Sequence, residues 1–175
     1  ERLTGAKELA EERGDVTLRI MASLRLAESY RRGGFEQFAD QMFEEVRKDQ
    51  NRLANPMNRI QVLQALAANA KIRGNKYMAL LNLRQAYDLT LQIGALGFQG
   101  SLTIDLADTY FLVDSLESSM TMYLRALDLY AGTGERGVIV EQHYKLGQCY
   151  LTTSQFDSAR SEILKGLSLL VTQPA

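Results

Sequence analysis

A few residues of this chain belong to the types that enzymes and metal sites use. His143 is the one histidine and Cys149 the one cysteine among 175 residues. A histidine works as a base when a carboxylate stands within hydrogen-bond reach. The nearest in the chain, Glu141, lies two positions away and would leave a helix on another side. His143 is therefore expected to pack rather than react. Cys149 falls inside a helical stretch with no histidine beside it, and is expected to be a buried, inert thiol. A single cysteine also excludes an intramolecular disulfide and a cysteine-cluster metal site. Asp105 and Asp108 share a helix face, yet hydrolytic chemistry would need a metal partner or a second pair beside them. Gly97-Phe98-Gln99-Gly100 lacks both the spacing and the preceding strand of a nucleotide loop. No catalytic constellation emerges, and the chain is expected to be non-catalytic, without metal or cofactor.

The elements that hold these residues repeat. Leu26, Ala27 and Tyr30 recur 40 positions on as Leu66, Ala67 and Ala70, again as Leu106, Ala107 and Tyr110, and again as Leu146, Gly147 and Tyr150. A second set follows each: Ala39, Phe43, Val46; Ala79, Leu83, Ala86; Ser119, Tyr123, Ala126; Ala159, Ile163, Gly166. Spacings of one, three and four residues put each set on one helical face. Between the sets stand Arg32-Gly33-Gly34, Arg73-Gly74-Asn75, Leu112-Val113-Asp114 and Thr152-Thr153-Ser154. The first two are clear turns; the third is marked only by Asp114-Ser115. Each copy thus reads as a helical hairpin. Ala27, Ala67, Ala107 and Gly147 are expected to meet Ala39, Ala79, Ser119 and Ala159 where paired helices cross, because small side chains let backbones approach. The predicted boundaries are 1–14 for the second helix of a truncated repeat, then 15–54, 55–94, 95–134 and 135–175. Asp15 and Asn55 are read as N-caps, the latter followed by proline at the first helical position.

The pattern Leu-(Gly/Ala)-x-x-Tyr followed by Ala-x-x-x-(Phe/Tyr/Leu)-x-x-Ala resembles the tetratricopeptide repeat, whose usual period is about 34 residues. The longer period here is similar to that of variants in bacterial regulators and sensors and in some eukaryotic scaffold proteins. The resemblance implies an all-α, right-handed superhelical solenoid of antiparallel hairpins, in four repeats with an N-terminal orphan helix. Two departures stand out: Ala70 replaces the aromatic residue of the second copy, and Ser23, Thr103 and His143 occupy positions where the pattern favours bulk. The small side chains of Ala65, Ala67, Ala68 and Ala70 could leave a hollow in the groove; Tyr77 or Met78 is expected instead to pack into the space that Ala70 leaves.

In that family the first helices line a concave face. The resemblance then implies a partner-binding groove holding Arg25, Glu28 and Arg32 in the first copy, Gln61, Gln64 and Lys71 in the second, Asp105 and Asp108 in the third, and Tyr144 and Gln148 in the fourth. Leu24, Arg31, Ala68 and Lys145 fall on the same register. The groove is expected to be basic around Arg25, Arg31, Arg32 and Lys71 and acidic at Asp105 and Asp108. Capture of a terminal carboxylate is not expected, since the positions that would grip it read Leu24, Glu28, Ala65, Ser101 and Asp105.

Composition agrees with a globular chain: 46% hydrophobic, 23% charged, two prolines and a formal net charge of −1. That balance gives no general attraction to nucleic acid or to an anionic membrane, and neither is expected as a partner. The expected partner is a protein or peptide, with homodimerisation through the solenoid ends, where Arg2–Arg13 and the leucines Leu164, Leu167, Leu169 and Leu170 would be uncovered. The chain opens mid-repeat and is read as a fragment of a larger regulatory or signalling protein. It is expected to be cytoplasmic, or periplasmic should a leader precede it. The alternative function is a ligand-gated regulator binding a short signalling peptide or a small molecule.

Overall fold

A computed structural model describes residues 2–171; positions 172–175 of the expected fourth repeat lie outside them. Among the described residues there are nine α-helices and no strand. The chain divides into two compact units, Glu1–Ile93 and Gly94–Ala175. The first holds α1 (Arg2–Glu12), α2 (Val16–Arg32), α3 (Glu36–Asp49), a 3-10 turn (Gln50–Arg52), α4 (Pro56–Ile72) and α5 (Lys76–Ile93). The second holds α6 (Leu96–Leu112), α7 (Leu116–Tyr130), α8 (Arg136–Thr152) and α9 (Phe156–Val171). The architecture is all-α and built of helical hairpins: α2 with α3, α4 with α5, α6 with α7, and α8 with α9.

One device closes all four hairpins. Gly34, Gly74, Asp114 and Ser154 hold the same register, each with a left-handed backbone, φ 78°, 73°, 64° and 59°. The next residue's N–H reaches back to the carbonyl five positions earlier: Phe35 to Tyr30 and Ser115 to Tyr110 at 2.9 Å, Asn75 to Ala70 and Gln155 to Tyr150 at 2.8 Å. This bond ends a helix sharply and satisfies a carbonyl that the helix leaves open. Glycine takes the conformation without strain, whereas Asp114 and Ser154 adopt it against the preference of residues with a Cβ. The other helix ends follow local chemistry. Asp15 Oδ1 accepts the Leu18 N–H at 2.9 Å, and Asn55 Oδ1 accepts that of Met57 at 2.8 Å, just before Pro56 opens α4.

The small residues expected at the crossings are buried. Ala27, Ala39, Ala67, Ala79, Ala107 and Ser119 are fully buried, as is all but a trace of Ala159. At the third crossing Ser119 Oγ donates to the Ala107 carbonyl at 2.9 Å. At the fourth, a Cβ added to Gly147 would lie 3.4 Å from the Ala159 carbonyl oxygen. Leu24, expected to face outward, instead belongs to the core of the first unit with Ile20, Phe43 and Val46. The core of the second unit gathers Ala107, Tyr123, Leu146 and Cys149. On α9, Leu164, Leu167 and Leu170 are exposed and Leu169 is half-buried.

Candidate functional site

In the first unit, α2 and α4 run side by side with a cleft of about 330 Å³ between them. Glu28, Arg31 and Arg32 line it from α2, Ala65, Ala68, Asn69 and Ile72 from α4, and Phe43 from below. Ala65 and Ala68 lie three residues apart and so share a face; their short side chains leave the hollow. Ile72, one turn beyond Ala68, stands 63% exposed at its edge. Arg31 is fixed rather than free: its guanidinium donates to Asn69 Oδ1, sits 3.5 Å from Asp40 and lies 4.8 Å above the Phe43 ring. Arg25 and Glu28 pair along α2 at 3.0 Å. Of the expected partner-binding residues, the cleft thus brings together Glu28 and Arg32. Arg32 and Gln61 are exposed, and Gln64 and Lys71 are half-buried on α4 without lining the cleft. Phe43, Asn69 and Ile72 were not among the expected site residues. The step of four from Ala68 to Ile72 is the signal that places Ile72 beside the others.

In the second unit, Asp108 is held from two sides. Lys145 Nζ donates to its two oxygens at 2.7 and 2.8 Å, and Tyr123 Oη donates to Oδ1 at 2.6 Å. The expected acidic surface at Asp108 is therefore neutralised within the fold. Burial pushes the Tyr123 phenol well above its usual range, and the Asp108 carboxylate adds to this. Burial by itself would lower the Lys145 ammonium; Asp108 outweighs it, with help from Glu141 at 3.3 Å, and the net displacement is upward. Asp105 is half-buried on α6. Tyr144 is exposed and accepts a 3.0 Å hydrogen bond at its hydroxyl from Gln148 Nε2. Cys149 is fully buried with its sulfur 3.6 Å from Ser119 Oγ, and burial raises its thiol pKa, which suits an unreactive role.

His143 gains a partner that its neighbours in the chain do not supply. Its Nδ1 lies 2.8 Å from Glu162 Oε2, across the α8–α9 hairpin, while Lys165 Nζ donates to Glu162 Oε1 at 2.6 Å. Burial alone would raise the Glu162 carboxyl; the bonds from Lys165 and His143 outweigh it and hold the group below its ordinary 4.5. A carboxyl depressed in the folded state adds stability above its unfolded pKa and loses it as the pH falls through the folded value. Urea melts should therefore show stability declining as the pH drops below about 5, and Glu162→Gln should flatten that decline. An unchanged acid limb in the variant would rule Glu162 out as its source. Among the described residues, no group of three His, Cys, Asp or Glu side chains is placed to hold a metal ion. No helix there is long and apolar enough to cross a membrane.

No protein-family model matches the chain, and no curated protein matches it. Solved structures do. A signal transduction ATPase with a tetratricopeptide repeat sensor, from Pyrococcus horikoshii, superposes with a TM-score of 0.78 at 14% identity over 90% of this chain. The chain spans only 24% of that protein. A putative kinesin light chain with nearly identical tetratricopeptide-like repeats, from Podospora anserina, gives 0.75 at 17% identity, covering 97% of this chain and 95% of its own. Aspartyl phosphate phosphatase F from Bacillus subtilis gives 0.73 at 12% identity over 92% of this chain and 43% of its own. At such identities the likeness speaks for the fold, which is that of tetratricopeptide-like helical repeats.

Proposed function

We propose that this chain is a non-catalytic interaction module that holds a segment of a protein or peptide partner against its first helices, as the sensory or scaffolding arm of a larger regulatory protein. The observation that carries the reading is the cleft between α2 and α4. It has an apolar lining in Ala65, Ala68, Ile72 and Phe43, with Glu28 and Arg32 at its border. Apolar clefts bordered by a few polar groups suit a peptide that buries one or two side chains and is oriented by charge. The regulatory part of the reading is supported by the shared fold with a signal transduction ATPase whose repeats are described as a sensor. Function in such scaffolds resides in the positions between the repeated packing residues; of the cleft lining, Arg32, Ala68 and Ile72 are the exposed ones.

The test is a capture experiment from lysate of the source cells with three baits: the unaltered chain, Arg32→Glu, and Ala68→Trp. Arg32 is exposed and Ala68 lies at the cleft surface, so both variants should melt within about 0.5 kcal/mol of the parent. A partner retained by the parent and reduced at least tenfold by both variants supports the reading. A partner retained equally by all three places binding elsewhere on the surface. If none retains a protein, the reading of a ligand-gated regulator that binds a short peptide or a small molecule moves ahead of this one.

A further inference from the structure

In the first hairpin, Tyr30, Phe35 and Phe38 form a cluster of rings. Tyr30 meets Phe35 edge-on at 6.4 Å and Phe38 at 5.4 Å between centroids. Forty residues on, the same three positions are Ala70, Asn75 and Met78. They line a cleft of about 330 Å³, a second one, on the other side of Asn69 from the cleft already described. Its floor is Phe43 and Leu66, 3% and 4% exposed. Of the two side chains expected to pack there, Tyr77 stands 69% exposed, while Met78 lines the space and leaves a cleft open beside it. The other three copies each carry tyrosine at this register, Tyr30, Tyr110 and Tyr150, all half-buried. The cleft thus lies at the register where the other three copies place a tyrosine.

We infer that this cleft receives the neutral phenol ring of a tyrosine side chain presented by a partner. The floor supplies apolar contact, and Met78 places a thioether where sulfur–ring contact is favourable. Arg73, Asn75 and Asn82 stand within the lining to meet the hydroxyl, which a buried tyrosine requires. Charge selects the neutral ring. Arg73 pairs with Asp40 and Arg47 with Glu44; Arg31, which also approaches Asp40 at 3.5 Å, has Glu36 at 3.9 Å, so the charges in and behind the lining are matched three against three and offer no surplus for an anion. The inference does not depend on what occupies the cleft between α2 and α4.

The test uses methionine-methyl NMR on the full chain, with the Met78 signal assigned by Met78→Leu, and N-acetyl-tyrosinamide as probe. A saturable shift of the Met78 signal is expected, with half-saturation on the order of 1 mM, as befits a ligand of this size. N-acetyl-leucinamide and N-acetyl-phosphotyrosinamide should bind at least tenfold more weakly. Ala70→Tyr should abolish the shift and raise the melting temperature, because the cleft is then filled from within. Ala70→Leu gives the same readout if the tyrosine variant does not fold. Absence of saturation, equal binding of the leucine or phosphotyrosine probe, or a shift retained in the filled variant would each overturn the inference.

Discussion

Asp108→Ala is expected to lower the stability of the second unit by about 2–3 kcal/mol, the typical result of removing one partner from a partly buried charged hydrogen-bond group. The substitution leaves the Tyr123 hydroxyl without its acceptor and Lys145 without the carboxylate that binds it at 2.7 Å. Asp108 retains 30% side-chain exposure and Lys145 23%, so water softens the loss below that of a fully buried pair. Asp108→Asn separates the contributions. The amide oxygen still accepts from Tyr123 while the charge is gone, and about half the loss should remain. Urea denaturation of both variants reads the difference directly. A loss below about 0.5 kcal/mol in Asp108→Ala would show that the cluster contributes little beyond a surface pair. The same cluster fixes the alkaline limb. Tyr123 and Lys145 both titrate above their ordinary values of 10.0 and 10.5 when folded. The stability they add is complete below those values and is lost as the pH rises past them toward the folded ones.

Much of this fold is legible in the chain because packing positions recur at a fixed step. Ala27 with Ala39, and Ala67 with Ala79, follow from spacing and size alone. So do the turns at Gly34 and Gly74, where glycine marks the left-handed position. Asp114 and Ser154 take the same conformation with less revealing side chains, because the backbone bond that closes the turn is indifferent to residue type. The polar partners were harder to read. Helical spacing pairs residues three or four apart, whereas Glu162 reaches His143 across 19 positions and Lys145 reaches Asp108 across 37. A second rule is nonetheless present. Lys7 to Glu45 and Arg31 to Asn69 each span 38 positions, and Asp108 to Lys145 spans 37. Equivalent helices of successive hairpins are offset by slightly less than one repeat, so complementary side chains two or three short of the period come to face each other. Asp108, read by helical spacing, falls beside Asp105 as surface charge; read at that longer step, it falls opposite Lys145. The clefts were legible only as the less favoured of two readings, for a different reason. A hollow is defined by what its walls lack, and Ala65, Ala68 and Ala70 look the same in sequence whether a neighbour fills the space or leaves it open.

Gly147→Leu is expected to cost about 3 kcal/mol or more, the upper range for forcing extra carbons into a packed crossing. A first carbon at this position would already stand 2.9 Å from Ile163 Cγ1 and 3.4 Å from the Ala159 carbonyl oxygen. The isoleucine side chain can rotate away from one methyl group; the carbonyl belongs to the α9 backbone and cannot, so a branched side chain must push the two helices apart. Gly147→Ala separates these terms. Removing a glycine from a helix interior gains up to about 1 kcal/mol, which offsets the adjustment of Ile163. Ala27, Ala67 and Ala107 show that a methyl group is accommodated at this register in the other three crossings. The alanine variant should therefore melt within about 1 kcal/mol of the parent while the leucine variant falls well below it. Comparable stabilities for the two would mean that α8 and α9 are free to separate, and that the small residue at each crossing reflects helix propensity rather than close approach.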